Sequence, residues 1–328
     1  MRRISRISLL ATLLMASHSY ANPNLAWDPG FGADLSLLTG YTSSRSQFNT
    51  DNESTDTLNQ QGDRQDNILI APLGTVNYTF ASGKQQLYFG TSRSDLALGR
   101  FHIELGYKQR FKDRSQITLS YIPGIMEQDT WQDPYITGQN RQETGSDIKG
   151  ARFQYDSIMG TPFSIELATG KFSLENERSG SAILPAEQQS VLRRDSDIYY
   201  GEVNYLHPLS RAQMLRYALS YTQMDADGDA MANDGLGAEV SWIQRFNQSS
   251  FALTLSYDRV VYDALNPVFS ETQKDDRWGI FLAYEYSAPF GWEDWGIISL
   301  AGYNQSNSNI AFYDEENLLL TVGINYRF

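Results

Sequence analysis

Apolar residues recur at every second position near the end of the chain. In the stretch ENLLLTVGINYRF the alternating apolar residues are Leu318, Leu320, Val322, Ile324, Tyr326 and Phe328. A period of two is that of a β-strand with one apolar face. Similar runs recur along the chain and predict an all-β protein of about 14 strands. The alternative is 12, because the run QQLYFGT is short and the register around Ile297 and Ile298 is ambiguous.

The connections between the predicted strands alternate in length. Short polar turns such as ASGK at 81–84 and NQSS at 247–250 follow every second strand. The other connections are long and acidic, and they are 44–66, 127–147, 175–195, 225–234, 263–276 and 305–316. This asymmetry is typical of outer-membrane barrels, whose turns are periplasmic and whose loops are extracellular. It predicts a transmembrane antiparallel up-and-down β-barrel in the Gram-negative outer membrane, in contact with lipid and lipopolysaccharide.

The two ends of the chain agree with export. Arginines precede the apolar stretch ISLLATLLMA, which is shorter than the roughly 20 residues of a membrane span, and Ser19 and Ala21 have the spacing of a signal-peptidase site. We therefore predict a signal peptide over 1–21 and a single barrel domain over 22–328. At the other end we interpret Tyr326 and Phe328 as a signal for the barrel assembly machinery.

Composition excludes several classes of function. The net charge of −13 argues against a nucleic-acid partner, and the absence of cysteine means that there are no disulfides. Only His102 and His207 follow the predicted signal peptide, and neither occupies a place where surface chemistry is expected. We recognise no phosphate-binding loop or zinc spacing, so the sequence predicts a protein that is not an enzyme and uses no cofactor.

The stretch DADGD offers a weak metal candidate. Asp225, Asp227 and Asp229 alternate there, and carboxylates are ligands for calcium. An EF-hand loop would require glycine and glutamate where the chain has Ala230 and Leu236. We therefore predict no metal site and expect a solvated acidic loop.

Residues between the outward apolar positions are expected to face the lumen. These pore-lining candidates carry both signs of charge, and they are Arg100, His102, Glu104, Lys108, Arg110, Arg152, Glu166, Glu202, Arg216, Glu239, Arg245, Asp258, Arg277, Glu285 and Arg327. The first five are predicted to share one strand. Such a lining suits a water-filled pore. The alternative is that the charges pair across a filled barrel that conducts nothing.

Several stretches resemble an uncharacterised family of Vibrio-like gammaproteobacteria, the domain of unknown function 2860 family. They include APLGTVNYTFASGKQQLYFGTSRSDLALG, SYIPGIMEQDTWQDPY and FLAYEYSAPFGWEDW. The resemblance implies an outer-membrane barrel and supplies no substrate. The first functional hypothesis is a porin-like channel for passive diffusion of small hydrophilic solutes. The alternatives are a closed barrel whose loops act as an adhesin or receptor, and an outer-membrane hydrolase. The oligomeric state and the presence of a plug stay open.

Overall fold

The computed structural model describes residues 26–125 and 128–328, and the predicted signal peptide lies outside them. Within the described residues the strands are β1 (Gly30–Arg45), β2 (Arg64–Thr79), β3 (Gln85–Gly90), β4 (Glu104–Arg110), β5 (Gln116–Pro123), β6 (Gln128–Trp131), β7 (Glu143–Asp156), β8 (Phe163–Leu174), β9 (Ser196–Pro208), β10 (Gln213–Ala226), β11 (Asn233–Arg245), β12 (Ser249–Asn266), β13 (Glu271–Ser287), β14 (Trp295–Ser308) and β15 (Glu315–Arg327). The helices are α1 (Arg93–Ala97) and α2 (Ala186–Gln189), and 3₁₀ turns occupy Ile158–Gly160, Ser190–Leu192, Pro289–Gly291 and Ala311–Tyr313.

These strands close into one antiparallel barrel. Strands adjacent in the chain pair with each other, except for β5 and β6, and β1 pairs with β15. Both β5 and β6 pair with β7, β5 ending with Pro123 opposite Lys149 and β6 starting with Gln128 opposite Ser146. They are therefore two parts of one interrupted barrel strand. The described strands thus make a barrel of 14, which confirms the predicted strand number and fold class.

Apolar side chains cover the outer face of the barrel. On β10, Leu219 points outward and is 69% exposed, whereas the adjacent Ala218 is buried inside. Near the strand ends aromatic rings meet, as in Phe31 and Tyr78 with centroids 4.9 Å apart. An apolar belt bordered by aromatic residues is what a bilayer requires, and the protein lies in the Gram-negative outer membrane. Among the described residues, none of the helices has the length and apolar character of a membrane span.

The longest connections outside the barrel lie at one end, as predicted, but several strands extend farther outward than predicted and shorten other connections at that end. The stretch 263–276 was expected to be a loop, yet β12 continues to Asn266 and β13 begins at Glu271. Asn266 pairs with Glu271, so this connection is a β-hairpin that extends beyond the membrane. At the tip of this hairpin the two strands satisfy each other's backbone, because β11 pairs with β12 only up to Tyr262 and β14 pairs with β13 only from Asp275.

One connection turns into the barrel instead of outward. The strands β3 and β4 have only 6 and 7 residues, compared with 16 in β2. The chain leaves the wall after Gly90 and rejoins it at Glu104. We call residues 91–103 the crossing segment. The prediction that Arg100 and His102 belong to a barrel strand is therefore wrong, because both lie in the crossing segment and β4 begins at Glu104.

Two glycines make this departure possible. Gly74 and Gly90 have φ of +149° and +130°, values that residues with a side chain rarely adopt. A Cβ atom on Gly90 would overlap the carbonyl oxygen of Gly74. The same carbonyl accepts a hydrogen bond of 2.8 Å from the amide of Thr91. The close approach of these backbones ends β3 and directs the chain inward.

The extracellular loops pack together over the outer mouth. Their buried apolar residues form one cluster, which we call the cap: Tyr135, Leu192, Ala226, Ala230, Met231, Ala232, Ile310, Phe312 and Tyr313. Because these loops begin at strands all around the barrel, they can meet only above its mouth. The expectation of a solvated loop at 225–234 is wrong for Ala230, Met231 and Ala232, which supply apolar surface to the cap.

Candidate functional site in the barrel interior

The periplasmic half of the lumen contains a cavity of about 710 Å³, which we call the vestibule. Its lower rim includes the periplasmic turn residues Phe246 and Ser249, and its upper end is Ser92 and Leu96 of the crossing segment. The guanidinium of Arg110 lies 3.8 Å from the ring centroid of Trp27 at this cavity. The amide of Trp27 donates to the carbonyl of Gly83, so the described start of the chain is fixed beside the rim.

The crossing segment spans the lumen from the short strands to the far wall. Its Leu98 packs against Ala218 on β10, and the ring of Phe101 lies 6.3 Å from that of Phe281 on β13. Arg100 reaches Glu239 on β11, with Nη2 3.2 Å from Oε2. These strands lie about half-way around the barrel from β3 and β4. The segment therefore obstructs the axial path between the vestibule and the cap.

A first ion cluster holds the near end of the crossing segment. Arg152 on β7 lies between two acids, with nitrogens 3.4 Å from Asp95 and 3.8 Å from Glu104. Its Nη1 is also 3.0 Å from Nε2 of His102. The hydroxyl of Tyr88 donates to Glu104 at 2.7 Å. All of these groups are buried, so the cluster is shielded from water and its charges interact strongly.

A second ion cluster holds the far end. Arg216 on β10 donates to Glu202 and to Glu239, at 2.7 Å in both cases. Arg100 from the crossing segment approaches the same two carboxylates, at 3.7 Å and 3.2 Å. The hydroxyl of Tyr200 donates to Glu202 at 3.0 Å. The two glutamates thus share two guanidinium groups, only one of which belongs to the wall.

The first cluster does not fit a metal ion. Asp95, His102 and Glu104 present ligand atoms within 4.8 Å of one another. The guanidinium of Arg152 already occupies the space that faces all three and supplies the positive charge. A second cation there would be repelled. Over residues 26–125 and 128–328 this is the single group with such spacing, and it does not include the weak candidates Asp225, Asp227 and Asp229.

The structure brings the predicted lumen residues to the inner face, in three groups. The buried ion clusters contain Arg100, His102, Glu104, Arg152, Glu166, Glu202, Arg216 and Glu239. The vestibule is lined by Lys108, Arg110, Arg245 and Glu285, and Arg327 pairs with Glu285 and Asp34 beside it. The remaining pair, Asp258 and Arg277, face each other across β12 and β13, higher in the barrel. That these residues line a conducting pore stays a prediction.

Sequence reasoning missed Asp95 and the apolar part of the interior. The helix of the crossing segment has a recognisable start, because the Ser92 hydroxyl accepts a hydrogen bond from the Asp95 amide at 3.2 Å and donates to its carboxylate. The spacing S-x-x-D is a capping signal. It marks a helix where strand alternation was expected.

An apolar cluster lies inside the barrel beside β2. Its buried members are Leu38, Phe281, Ile298 and Leu300, and Ala71, Leu73, Phe101, Ala283 and Leu319 pack against it. Inward-facing alanine and leucine residues interrupt the polar lining that the sequence predicts. The register that was ambiguous at Ile297 and Ile298 is resolved by Ile298, which is buried in this cluster.

Polar contacts tie the cap loops together. The indole of Trp131 donates to the carbonyl of Gln47 at 3.0 Å, and the guanidinium of Arg141 lies 4.5 Å from the Trp131 ring centroid. Burial lowers the pKa of Arg141 to about 10, which leaves it charged at neutral pH. The hydroxyls of Tyr135 and Tyr313 are 2.7 Å apart, and burial raises the pKa of Tyr135. Loops distant in sequence are therefore joined by both rings and hydrogen bonds.

Comparison with solved structures finds outer-membrane barrels. A loop-deletion mutant of OmpT, an outer membrane protein of Vibrio cholerae, is 11% identical with a TM-score of 0.43, and 92% of this chain and 100% of that chain align. The CymD monoaromatic hydrocarbon channel is 8% identical with a TM-score of 0.47, over 94% and 91% of the two chains. An anion-selective porin from Comamonas acidovorans is 9% identical with a TM-score of 0.39, over 91% and 100%.

Similarities of this size identify no solute for this protein. No curated protein matches the sequence. A family model described as "Protein of unknown function (DUF2860)" matches residues 30–327, which include the whole barrel. The chain therefore belongs to the DUF2860 family.

Proposed function

We propose that the protein is an outer-membrane channel for small hydrophilic solutes whose axial path is closed in the conformation described. The observation that carries the proposal is the vestibule, a cavity of about 710 Å³ lined by charged residues of both signs. Charged side chains such as Lys108 and Arg110 are costly in a barrel interior unless water reaches them. A polar vestibule that ends at a crossing segment is what a closed aqueous channel requires.

The ion pairs that hold the crossing segment in place support the proposal of a movable closure. Both of its ends are held by ion pairs, through Asp95 to Arg152 and through Arg100 to Glu239. If the segment leaves, Glu239 and Glu202 keep Arg216 as a partner. Departure would therefore leave a paired, polar wall that water can hydrate. A pore lined by such charges passes ions and polar solutes in preference to apolar ones.

The test is conductance in planar bilayers with the crossing segment removed. Gly90 and Glu104 are directly paired, so a two-residue Asn-Gly turn can replace residues 91–103 without changing the strand register. Because the cap also covers the mouth, a second variant combines this replacement with Phe312→Ala. The full chain serves as the reference, and the change in gel mobility on heating verifies that each barrel is folded.

We expect rare or small current steps from the full chain and stable, larger steps from at least one variant. Silence of both variants, when both are folded, would overturn the channel. That result would favour the closed barrel whose cap acts as a surface receptor or adhesin, because the cap is the other elaborated part of the molecule.

A further inference from the structure

The barrel wall is incomplete between β2 and β5. Strand β3 pairs only with Thr75–Thr79 of β2, and β4 pairs with β5 only up to Tyr121. Residues Arg64–Gly74 of β2 therefore have β1 on one side and none of the described strands on the other. We call this gap the lateral window. Its lower border is the pair formed by Gly90 and Glu104.

Residues at the window suit an unpaired sheet edge. Pro72 on β2 and Pro123 at the end of β5 both lie beyond the last residues that pair with β3 and β4. Proline has no N–H to offer to a neighbouring strand, and within sheets it is confined to edges, strand starts and bulges. Lipid cannot satisfy a free amide. A proline on each border therefore indicates that the gap is built into the sequence.

The window lies at the depth of the lipid. Ile68 and Ile70 on the same part of β2 point outward and are 76% and 63% exposed. Such exposure of isoleucine on adjacent outward positions is stable only against hydrocarbon. A molecule that reaches the window from outside the barrel therefore arrives from the bilayer, not from water.

The interior behind the window is apolar. Ala71 and Leu73 point inward from this part of β2 and pack against the cluster of Leu38, Ile298 and Leu300. Phe101 of the crossing segment joins the same cluster. The charged clusters that fill other parts of the interior hold acids and bases, whereas the side chains of this cluster are apolar and favour contact with apolar groups. The lipid side and the inner side of the gap therefore both favour apolar molecules.

We propose that the lateral window is an entry and binding site for small apolar organic molecules dissolved in the membrane, with the size of a single aromatic ring or a short alkyl chain. The cap covers the axial mouth, and the window gives the interior a second approach below it. Ala71 and Leu73 contact the entering molecule first, and Phe101 lies deeper. The site is independent of ion flow along the axis, so it goes beyond the channel proposed above.

The test compares two inward alanines that touch the same apolar cluster. Ala71 lies on β2 at the window, whereas Ala283 lies on β13, which is paired on both sides. The chain contains no cysteine, so Ala71→Cys and Ala283→Cys can each carry a single bimane fluorophore. The labelled full chain is reconstituted into phosphatidylcholine vesicles. TEMPO benzoate, a small nitroxide that dissolves in the membrane, serves as the quencher, and toluene serves as the competitor.

We expect TEMPO benzoate to quench the fluorophore at position 71 severalfold more than at position 283, and excess toluene to reverse the difference. Equal quenching at the two positions would overturn the window as an entry site. Quenching at 71 that toluene does not reduce would also overturn it, because it would show mere proximity to lipid. If Ala71→Cys does not fold, the same comparison can be made between Leu73→Cys and Leu319→Cys. Both leucines pack against the same cluster.

The result of the quenching test can be distinguished from the result of the conductance test. A folded barrel that carries no current but shows toluene-sensitive quenching at position 71 would overturn the axial channel and leave the window. A barrel that conducts and shows equal quenching at both positions would overturn the window alone.

Discussion

The cap and the crossing segment both obstruct the barrel axis, but different interactions hold them. In the cap, Phe312 is fully buried, and its ring lies within 5.1–5.7 Å of the rings of Phe48, Tyr135, Phe269 and Tyr313. These residues come from four separate connections. Apolar packing of this kind is lost only when several loops separate together.

The crossing segment relies mainly on charge. Its ends are fixed by Asp95 and Arg100, and its apolar contacts include those of Leu98 and Phe101. A buried ion pair loses much of its attraction once water enters, because the dielectric constant rises. The two closures therefore differ in how they open. We expect the crossing segment to move first and the cap to stay assembled.

The largest effect is expected from Phe312→Ala in the cap. Removing a fully buried phenylalanine lowers stability by about 3–5 kcal/mol. In this protein the lost stability is that of the packed loops. The measurement is the rate of limited proteolysis in the loops of the folded barrel, together with hydrogen exchange of residues 309–314. Phe290→Ala is the control, because Phe290 is 88% exposed in a periplasmic turn. Unchanged loop protection in Phe312→Ala would show that the cap is not held by its aromatic core.

A smaller effect is expected from Arg100→Met in the crossing segment. The substitution removes the charged hydrogen bond from Arg100 to Glu239, worth about 1.5–3 kcal/mol, while Arg216 still pairs with both Glu202 and Glu239. We expect faster hydrogen exchange in residues 91–103 and more frequent current steps, with exchange in the cap unchanged. Arg100→Lys keeps the charge and should restore part of the protection. Equal loosening of the cap and the segment would contradict two separate closures.

The backbone at the start of the crossing segment gives a third test. Gly90→Ala forces a side chain into a positive φ and against the Gly74 carbonyl, a strain of about 1–3 kcal/mol. Thermal unfolding in detergent should show the loss. Gly201→Ala is the matched control, since a Cβ there meets only the Leu167 side chain at 3.7 Å. If both variants are equally stable, the exit of the chain at Gly90 does not depend on this conformation.

Alternation in the sequence was sufficient to predict the barrel but not the inward turn of its chain. Where strands are paired on both sides, as around Leu219 and Val240, every second residue faces lipid and the period is visible. In the crossing segment, Phe101 and Ile103 continue the alternation by coincidence, and Phe101 packs inside. A period of two cannot distinguish lipid from an apolar interior cluster, because both accept the same side chains.

The cap was missed for a related reason. The acidic residues of DADGDAMAND suggested solvent, and the neighbouring Ala230 and Met231 are too small or too few to show a pattern. Their burial depends on Phe312 and Tyr135, which are remote in sequence. Contacts between loops are set by the closure of the barrel, so local sequence does not reveal them.

The smallest effect concerns the path below both closures. Arg110 lies in the vestibule against Trp27 and belongs to neither ion cluster, so Arg110→Glu should leave both closures intact. In the variant that lacks the crossing segment, we expect the reversal potential under a salt gradient to shift toward cation selectivity, because a negative charge then faces the aqueous path. Lys112→Glu makes the same change of charge in an exposed periplasmic turn and should shift the potential less. Equal shifts in the two variants would mean that selectivity follows the charge of the periplasmic rim and not the lining of the vestibule.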